Sequence, residues 1–146
     1  MRLVVHSSAP AFALEAAPAM TVAAALARIT AHARWLAFLR ALDAQLPGLG
    51  FPQHHVEMVA TVLRQALAFA EKETLTENSV AVCASDVTRA LVLALDDAPA
   101  AELVARLTPA LTYTQLVCCK RTLEPDRTFA SYFGPNDKTT LSVFVS

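Results

Sequence analysis

The sequence predicts a mainly α-helical chain with a small β element near its end. Apolar residues recur at helical spacing through most of residues 21–107, and short runs of proline and glycine divide this region into separate helices. Residues 128–145 are instead rich in β-branched and aromatic residues, on both sides of the turn-forming stretch 134–137. We therefore expect one helical domain that is followed by a candidate β-hairpin.

The chain is expected to fall into three ranges. Residues 1–27 should form an irregular N-terminal arm and lead-in, because prolines interrupt them. Residues 28–118 should form the helical domain, and residues 119–146 a C-terminal extension that contains the hairpin. Residues 2–6 could be a short strand that joins this hairpin.

The first two helices are expected over residues 21–46 and from residue 52 or 53 to residue 77. The stretch 47–52, PGLGFP, separates them, since glycine after a helix with proline close behind is an end signal. The second helix carries two apolar stripes on different sides and one charged strip. A helix that is apolar on two sides must pack on both, so this helix is predicted to be central.

Shorter elements are expected after the central helix. Residues 77–82 are predicted to form a loop with a β-like end, and residues 84–95 a short third helix. Pro99 can open a fourth helix that runs to residue 107. Thr108 followed by Pro109 indicates a cap and the start of another short helix, to about residue 117. The helical domain is therefore expected to end with an extra C-terminal helix.

The composition excludes some classes of protein. The chain has 146 residues, of which 55% are hydrophobic and 17% are charged. This length fits one domain with a core, and the composition is too apolar for a disordered chain. Part of the apolar surface could belong to an interface, although abundant alanine explains the same figure. The net charge is −1 and no segment is strongly basic, so the dense positive charge needed to bind nucleic acid autonomously is missing.

Few residues could carry chemistry. The three cysteines include no Cys-x-x-Cys pair, which favours reduced thiols in an intracellular protein. His54 and His55 are adjacent, and on a helix such side chains point about 100° apart, so they make a poor metal-binding pair. Motifs for nucleotide binding, zinc proteolysis and acyl transfer do not occur in the sequence. We therefore expect no enzyme activity, cofactor, metal or membrane partner.

Two loops and a helix start resemble those of histone-fold proteins. The stretch 47–51, PGLGF, is similar to the first loop of histone two-B and of the B subunit of the CCAAT-box factor. The stretch 82–91, VCASDVTRAL, is similar to their second loop and third-helix start, and Glu102–Leu103 is similar to the opening of their C-terminal helix. The resemblance covers roughly residues 33–117. It implies a histone fold, in which two chains clasp each other across their long central helices.

The same resemblance implies a function and a set of partner contacts. It implies an obligate heterodimer with a histone two-A-like or other histone-fold protein, within a chromatin- or transcription-related assembly in the nucleus. An organellar location stays open. Arg34 and Arg40 on the first helix would be the possible DNA contacts. The apolar residues expected to bind the partner are Phe51, Val56, Met58, Val59, Val62, Leu63, Leu67, Phe69, Val80, Val82, Val87 and Leu91.

The chain departs from the family at its loops. The second loop has Glu77–Ser79 in place of basic residues, the first offers only His54 and His55, and Cys83 stands where the family has a capping threonine. DNA contact through this chain alone is therefore expected to be weak or partner-dependent. Two other functions stay open. The chain could be a non-DNA structural subunit of a large complex, or a helical bundle of the Bcl-two-like viral type that binds a partner helix in a groove.

Overall fold

The computed structural model describes every residue from Met1 to Ser146 and contains both helices and a sheet. The helices are α1 (Val22–Gln45), α2 (Gln53–Lys72), α3 (Glu77–Leu95), α4 (Asp97–Leu107) and α5 (Phe129–Phe133), with a single 3-10 turn at Leu46–Gly48. The strands are β1 (Arg2–His6), β2 (Phe12–Glu15), β3 (Thr74–Leu75), β4 (Leu116–Cys118), β5 (Arg121–Thr122) and β6 (Thr140–Val145). Helix is the larger part, as predicted, but a six-stranded mixed sheet accompanies it.

The chain divides into two compact units. The first consists of Met1–His32, Glu73–Thr76 and Leu111–Ser146, and the second of Ala33–Lys72 and Glu77–Ala110. Helix α1 begins in the first unit and ends in the second. These boundaries do not coincide with the three consecutive ranges expected from the sequence, because the first unit draws on both the N-terminal and the C-terminal parts of the chain.

The first unit is built on a sheet in the order β3-β2-β1-β6-β4-β5. Strand β1 pairs antiparallel with β2 and parallel with β6, and β6 pairs antiparallel with β4. This is the β-grasp topology, in which a hairpin is followed by a helix and then by further strands, and the last strand pairs with the first. Here the second unit occupies most of the chain between α1 and β4.

Alternation along the strands gives this sheet one buried face. Leu141, Val143 and Val145 on β6 are buried, and the residues between them are exposed. Leu3 and Val5 on β1 continue the buried face, since paired residues of neighbouring strands point the same way. Apolar residues of the first part of α1 and of α5 complete the core of the unit: Val22, Ala25, Leu26, Ile29 and Phe129.

The prediction of a C-terminal β-hairpin is wrong. Residues 129–133 form α5, because the Thr128 hydroxyl accepts a hydrogen bond from the Ser131 amide at 3.2 Å and caps the helix. Gly134, with φ of 82°, then ends it. Strand β6 pairs with β1 and β4 instead of a hairpin partner. The prediction that residues 2–6 form a strand joined to this part of the chain is confirmed.

The irregular N-terminal arm is also a wrong prediction. Residues 12–15 form β2, whose first three residues are buried, and β2 pairs with β1 over four residue pairs. The two strands were too short to show a clear period in the sequence. Their apolar residues are held by neighbours far away in the chain, which sequence pattern does not reveal.

The helices of the second unit confirm some predictions and correct others. The first helix and the fourth lie where expected, as α1 and α4. The second helix ends at Lys72, five residues earlier than predicted, and β3 follows it. The third helix begins at Glu77, so the loop predicted over residues 77–82 is wrong. Glu77 in the first turn favours the helix dipole, and this outweighs the β-branched residues that suggested a loop.

The helix predicted over residues 109–117 is wrong as well. Residues 109–115 form no helix or strand, and the backbone amide of Tyr113 donates to the Thr30 hydroxyl at 3.2 Å within the first unit. The amides of Thr114 and Gln115 donate to the carbonyl of Ser146. These bonds replace those that a helix would have made, and they lead the chain into β4.

Replacing Phe129 with alanine should lower the free energy of unfolding by about 3–5 kcal/mol, because its ring is fully buried and leaves a cavity. Phe144→Ala is the matched control. Its ring is 56% exposed, so the loss should be about 1 kcal/mol or less. Urea unfolding followed by circular dichroism measures both, and equal losses for the two variants would contradict this assignment of the core.

Candidate functional site

The most distinctive surface of the second unit is a groove between α2 and α3, which pack side by side. It has a volume of about 470 Å³, which lies in the range of ligand sites. We call it the α2–α3 groove. Its lining residues are Met58, Val62, Gln65, Ala66, Phe69, Cys83, Asp86, Arg89, Ala90 and Leu93.

Helical spacing explains why these residues share the groove. On α2, Met58, Val62, Ala66 and Phe69 follow one another at intervals of three or four residues, which places them on one face. The same spacing aligns the α3 residues. Ala66 and Ala90 are almost fully buried, each 4% exposed, and their small side chains leave the space between the helices open. The groove is therefore apolar along its length, with polar groups at a few points.

The polar groups of the groove lie mainly on α3. A guanidinium nitrogen of Arg89 lies 3.8 Å from a carboxylate oxygen of Asp86, and both side chains are more than half exposed. At this distance and exposure the pair adds little stability. Both charges thus stay free to meet charges of opposite sign on a partner.

The structure separates the predicted partner-binding residues into three groups. Three of them, Met58, Val62 and Phe69, line the groove. The half-buried Val56, Leu67 and Val80 lie outside its lining, and Val82 is 53% exposed. The remaining five are core residues of the single chain, each at most 8% exposed: Phe51, Val59, Leu63, Val87 and Leu91.

Arg34 and Arg40, the possible DNA contacts, are half-buried residues of α1. Both lie in the second unit, and neither lines the groove. DNA contact through them stays a prediction.

The sequence analysis did not predict the five groove residues on α3. Cys83 was considered only in place of a capping threonine, and the face of α3 that carries Asp86, Arg89, Ala90 and Leu93 was not considered, because Val87 and Leu91 already supplied an apolar stripe. The signal was present in the sequence, since Leu93 lies a helical interval after Arg89 and away from that stripe. Leu93 is 61% exposed, which is unusual for leucine.

The thiol of Cys83 is a neutral group in the wall of the groove. Partial burial raises its pKa above the ordinary value of 9.0, and the negative charge of Asp86 raises it further. Only a thiolate is strongly nucleophilic, so these causes oppose covalent chemistry at this residue. Cys118 has a similar character in the first unit. Burial and the neighbouring Cys119 thiol, 3.8 Å away between sulfur atoms, raise its pKa to about 11.

Other candidate sites are weaker. The rings of His54 and His55 lie 4.1 Å apart at a tilt of 45°, and no group of three or more histidine, cysteine, aspartate or glutamate residues is arranged to hold a metal ion. By length and composition, two helical segments, 22–48 and 77–95, could cross a membrane. The first is half buried within the protein, and the second carries Asp86 and Arg89 near its middle.

The first unit exposes an apolar row on its outer sheet face. Phe144 on β6 is paired with His6 on β1 and with Val117 on β4, so the three side chains stand side by side. The rings of His6 and Phe144 stack with their centres 4.8 Å apart. Phe144 nevertheless remains 56% exposed. We call these three residues the sheet row.

Comparison of the chain with family models, with curated proteins and with solved structures finds no match. The function must therefore be argued from the surfaces themselves.

Alkylation of Cys83 by iodoacetamide should have its pH midpoint above 9.0, the ordinary thiol value, because the folded protein holds the proton more tightly. The measurement uses a chain in which Cys118 and Cys119 are replaced with alanine. Asp86→Asn should lower the midpoint, since it removes the second cause of the shift. Asp97→Asn, a similar change outside the groove, should leave it unchanged. A midpoint at or below 9.0 would show that the groove does not shield this thiol, and a midpoint unchanged by Asp86→Asn would show that the carboxylate does not contribute to the shift.

Proposed function

We propose that this chain is a non-enzymatic interaction subunit, and that its α2–α3 groove binds an amphipathic helix of a protein partner. The observation that carries the proposal is the open apolar channel between two helices, with Met58, Val62 and Phe69 on one side and Leu93 on the other. Helix-in-groove recognition uses such a channel, with apolar anchors spaced along one face of the bound helix.

The chemistry of the lining supports binding over catalysis. The groove residues are mostly alkyl, aromatic and thioether groups, and methionine adapts its shape to different partners. The single nucleophile among them, Cys83, is held neutral at physiological pH. Gln65, Asp86 and Arg89 supply hydrogen bonds and charges that can orient a bound helix.

The histone-fold heterodimer in a chromatin assembly stays a prediction, and the structure offers it little support. The histone-fold hypothesis requires a long central helix followed by a short one, whereas α2 and α3 have 20 and 19 residues. The β-grasp topology of the first unit does not decide the question either, because one fold serves many functions. An interaction subunit without direct DNA contact accounts for the near-neutral charge and for the groove.

The sheet row supports the same class of function at a second surface. An aromatic side chain that is 56% exposed on a strand paired on both sides offers a partner a flat apolar contact. We rank this surface second because it forms no cavity.

The groove should bind synthetic helical peptides with micromolar affinity. The probes are fluorescein-labelled 16-residue peptides with leucine on one face and either glutamate or lysine on the other, and anisotropy reports their binding. Phe69→Asp should abolish binding, since it places a charge in the apolar channel. Phe144→Asp, the matched change in the sheet row, should leave binding unchanged.

Circular dichroism distinguishes loss of binding from loss of fold. Phe69 is only half buried, so the Phe69→Asp variant should keep its helical signal. If no peptide binds the folded wild-type chain, or if Phe69→Asp binds as well as the wild type, the groove is not a helix-binding site and the proposal fails.

A further inference from the structure

One face of α3 carries an exposed stripe at the edge of the groove, and three of its four residues also line the groove. The stripe consists of Val82, Asp86, Arg89 and Leu93, whose successive spacings of four, three and four residues place them on one side of the helix. Val82 and Leu93 are 53% and 61% exposed, and only Phe144 among the other large apolar side chains is comparably open. The stripe therefore presents two apolar ends with a charged pair between them.

The stripe is complementary to a second copy of itself that runs in the opposite direction. Read from either end, the stripe runs apolar, charged, charged, apolar with the same spacings, and the two charges have opposite signs. When a second α3 lies antiparallel across the first, Asp86 of each copy faces Arg89 of the other, and Val82 faces Leu93. A parallel arrangement in register would instead set like charges against each other, which is unfavourable.

We infer that a second copy of this chain occupies the groove mouth, through an antiparallel two-fold contact between the α3 stripes. This inference rests on the proposed function and names its partner. A two-fold contact uses the same patch on both copies, and a self-complementary stripe meets that requirement. The antiparallel arrangement also sets the two helix dipoles side by side in opposite directions, which is favourable.

The apolar and the charged residues make different contributions to this contact. Burying Val82 and Leu93 on both copies removes four exposed apolar side chains from water, and this supplies the attraction. The reciprocal Asp86–Arg89 pairs fix register and direction more than affinity. Met58, Val62 and Phe69 widen the apolar surface on which the second α3 rests. An α3 of 19 residues is about 28 Å long, so the contact is a small one and the dimer is expected to be weak.

Reciprocal charge exchange tests this geometry. Asp86→Arg alone and Arg89→Asp alone should each raise the dimer dissociation constant at least about tenfold, because each places like charges face to face. The double variant Asp86→Arg/Arg89→Asp should recover the wild-type constant to within about threefold, since the pattern is restored with its signs exchanged. Sedimentation equilibrium at about 50 mM salt keeps screening low and measures each constant.

The chain offers a matched control pair. Arg127 and Glu124 are also three residues apart, with an Nη1–Oε2 distance of 3.7 Å and comparable exposure, but lie in the first unit. Glu124→Arg should leave dimerisation unchanged. Leu93→Asp should abolish it while the helical circular dichroism signal persists, because Leu93 is mostly exposed in the single chain.

The outcomes separate this inference from the proposed function. If the wild-type chain stays monomeric up to millimolar concentration but still binds the helical peptides, the second copy is the wrong occupant and the groove remains a helix-binding site. If the chain neither dimerises nor binds peptides, both fail. A double variant as weak as the single ones would overturn the antiparallel geometry. Flotation of the monomer with phosphatidylcholine vesicles would assign the α3 stripe to a membrane surface instead.

Discussion

The parallel pairing of β1 with β6 is the constraint on which the rest of the first unit depends. Five residue pairs join Arg2–His6 to residues 140–144, and the amide of Arg2 also donates to the carbonyl of Thr139 at 2.9 Å. Strand β1 holds β2, which holds β3, and β6 holds β4, which holds β5. Without the central pair the sheet falls into two pieces, neither with a complete buried face. Because these contacts span most of the chain, we expect their formation to be slow compared with that of the helices.

The long-range pairing of the sheet explains which elements could be predicted from the sequence. Helices α1 and α4 are local, and their apolar spacing and end signals predicted them. The full sheet was missed because its pairs are remote and its strands short, so β1 was predicted only as a strand beside a C-terminal hairpin, and β2 was not predicted at all. The start of α3 was missed because Val80 and Val82 favour strand, although Glu77 in the first turn suits the helix dipole. Helix α5 was predictable in principle, since Thr128 and Gly134 are a cap and an end signal, but they were assigned to a strand and to a turn.

The candidate site was also predictable only in part. The stripe of Met58, Val62 and Phe69 on α2 was predicted to bind a partner, and it does line the groove. The core residues predicted with it could not be distinguished from groove residues, because sequence alone does not say which apolar face of a helix is covered by the rest of its own chain. Val59 and Leu63 are covered within the chain. On α3 the exposed face was overlooked because Val87 and Leu91 already supplied an apolar stripe, and because two charges interrupt the exposed face.

Asp86 links the electrostatics of the groove to its function. The carboxylate raises the pKa of Cys83, pairs loosely with Arg89 within the chain and stands in the middle of the exposed stripe. A helix seated in the groove would remove water from Cys83 and so strengthen desolvation, the larger cause of its raised pKa. A cation brought against Asp86 would weaken the smaller cause. Since desolvation is the larger of the two, Cys83 should remain a neutral thiol in the occupied groove. If the groove binds a helix as proposed, the channel would stay apolar when filled, and the charges at its rim would select which helix, in which direction, can fill it.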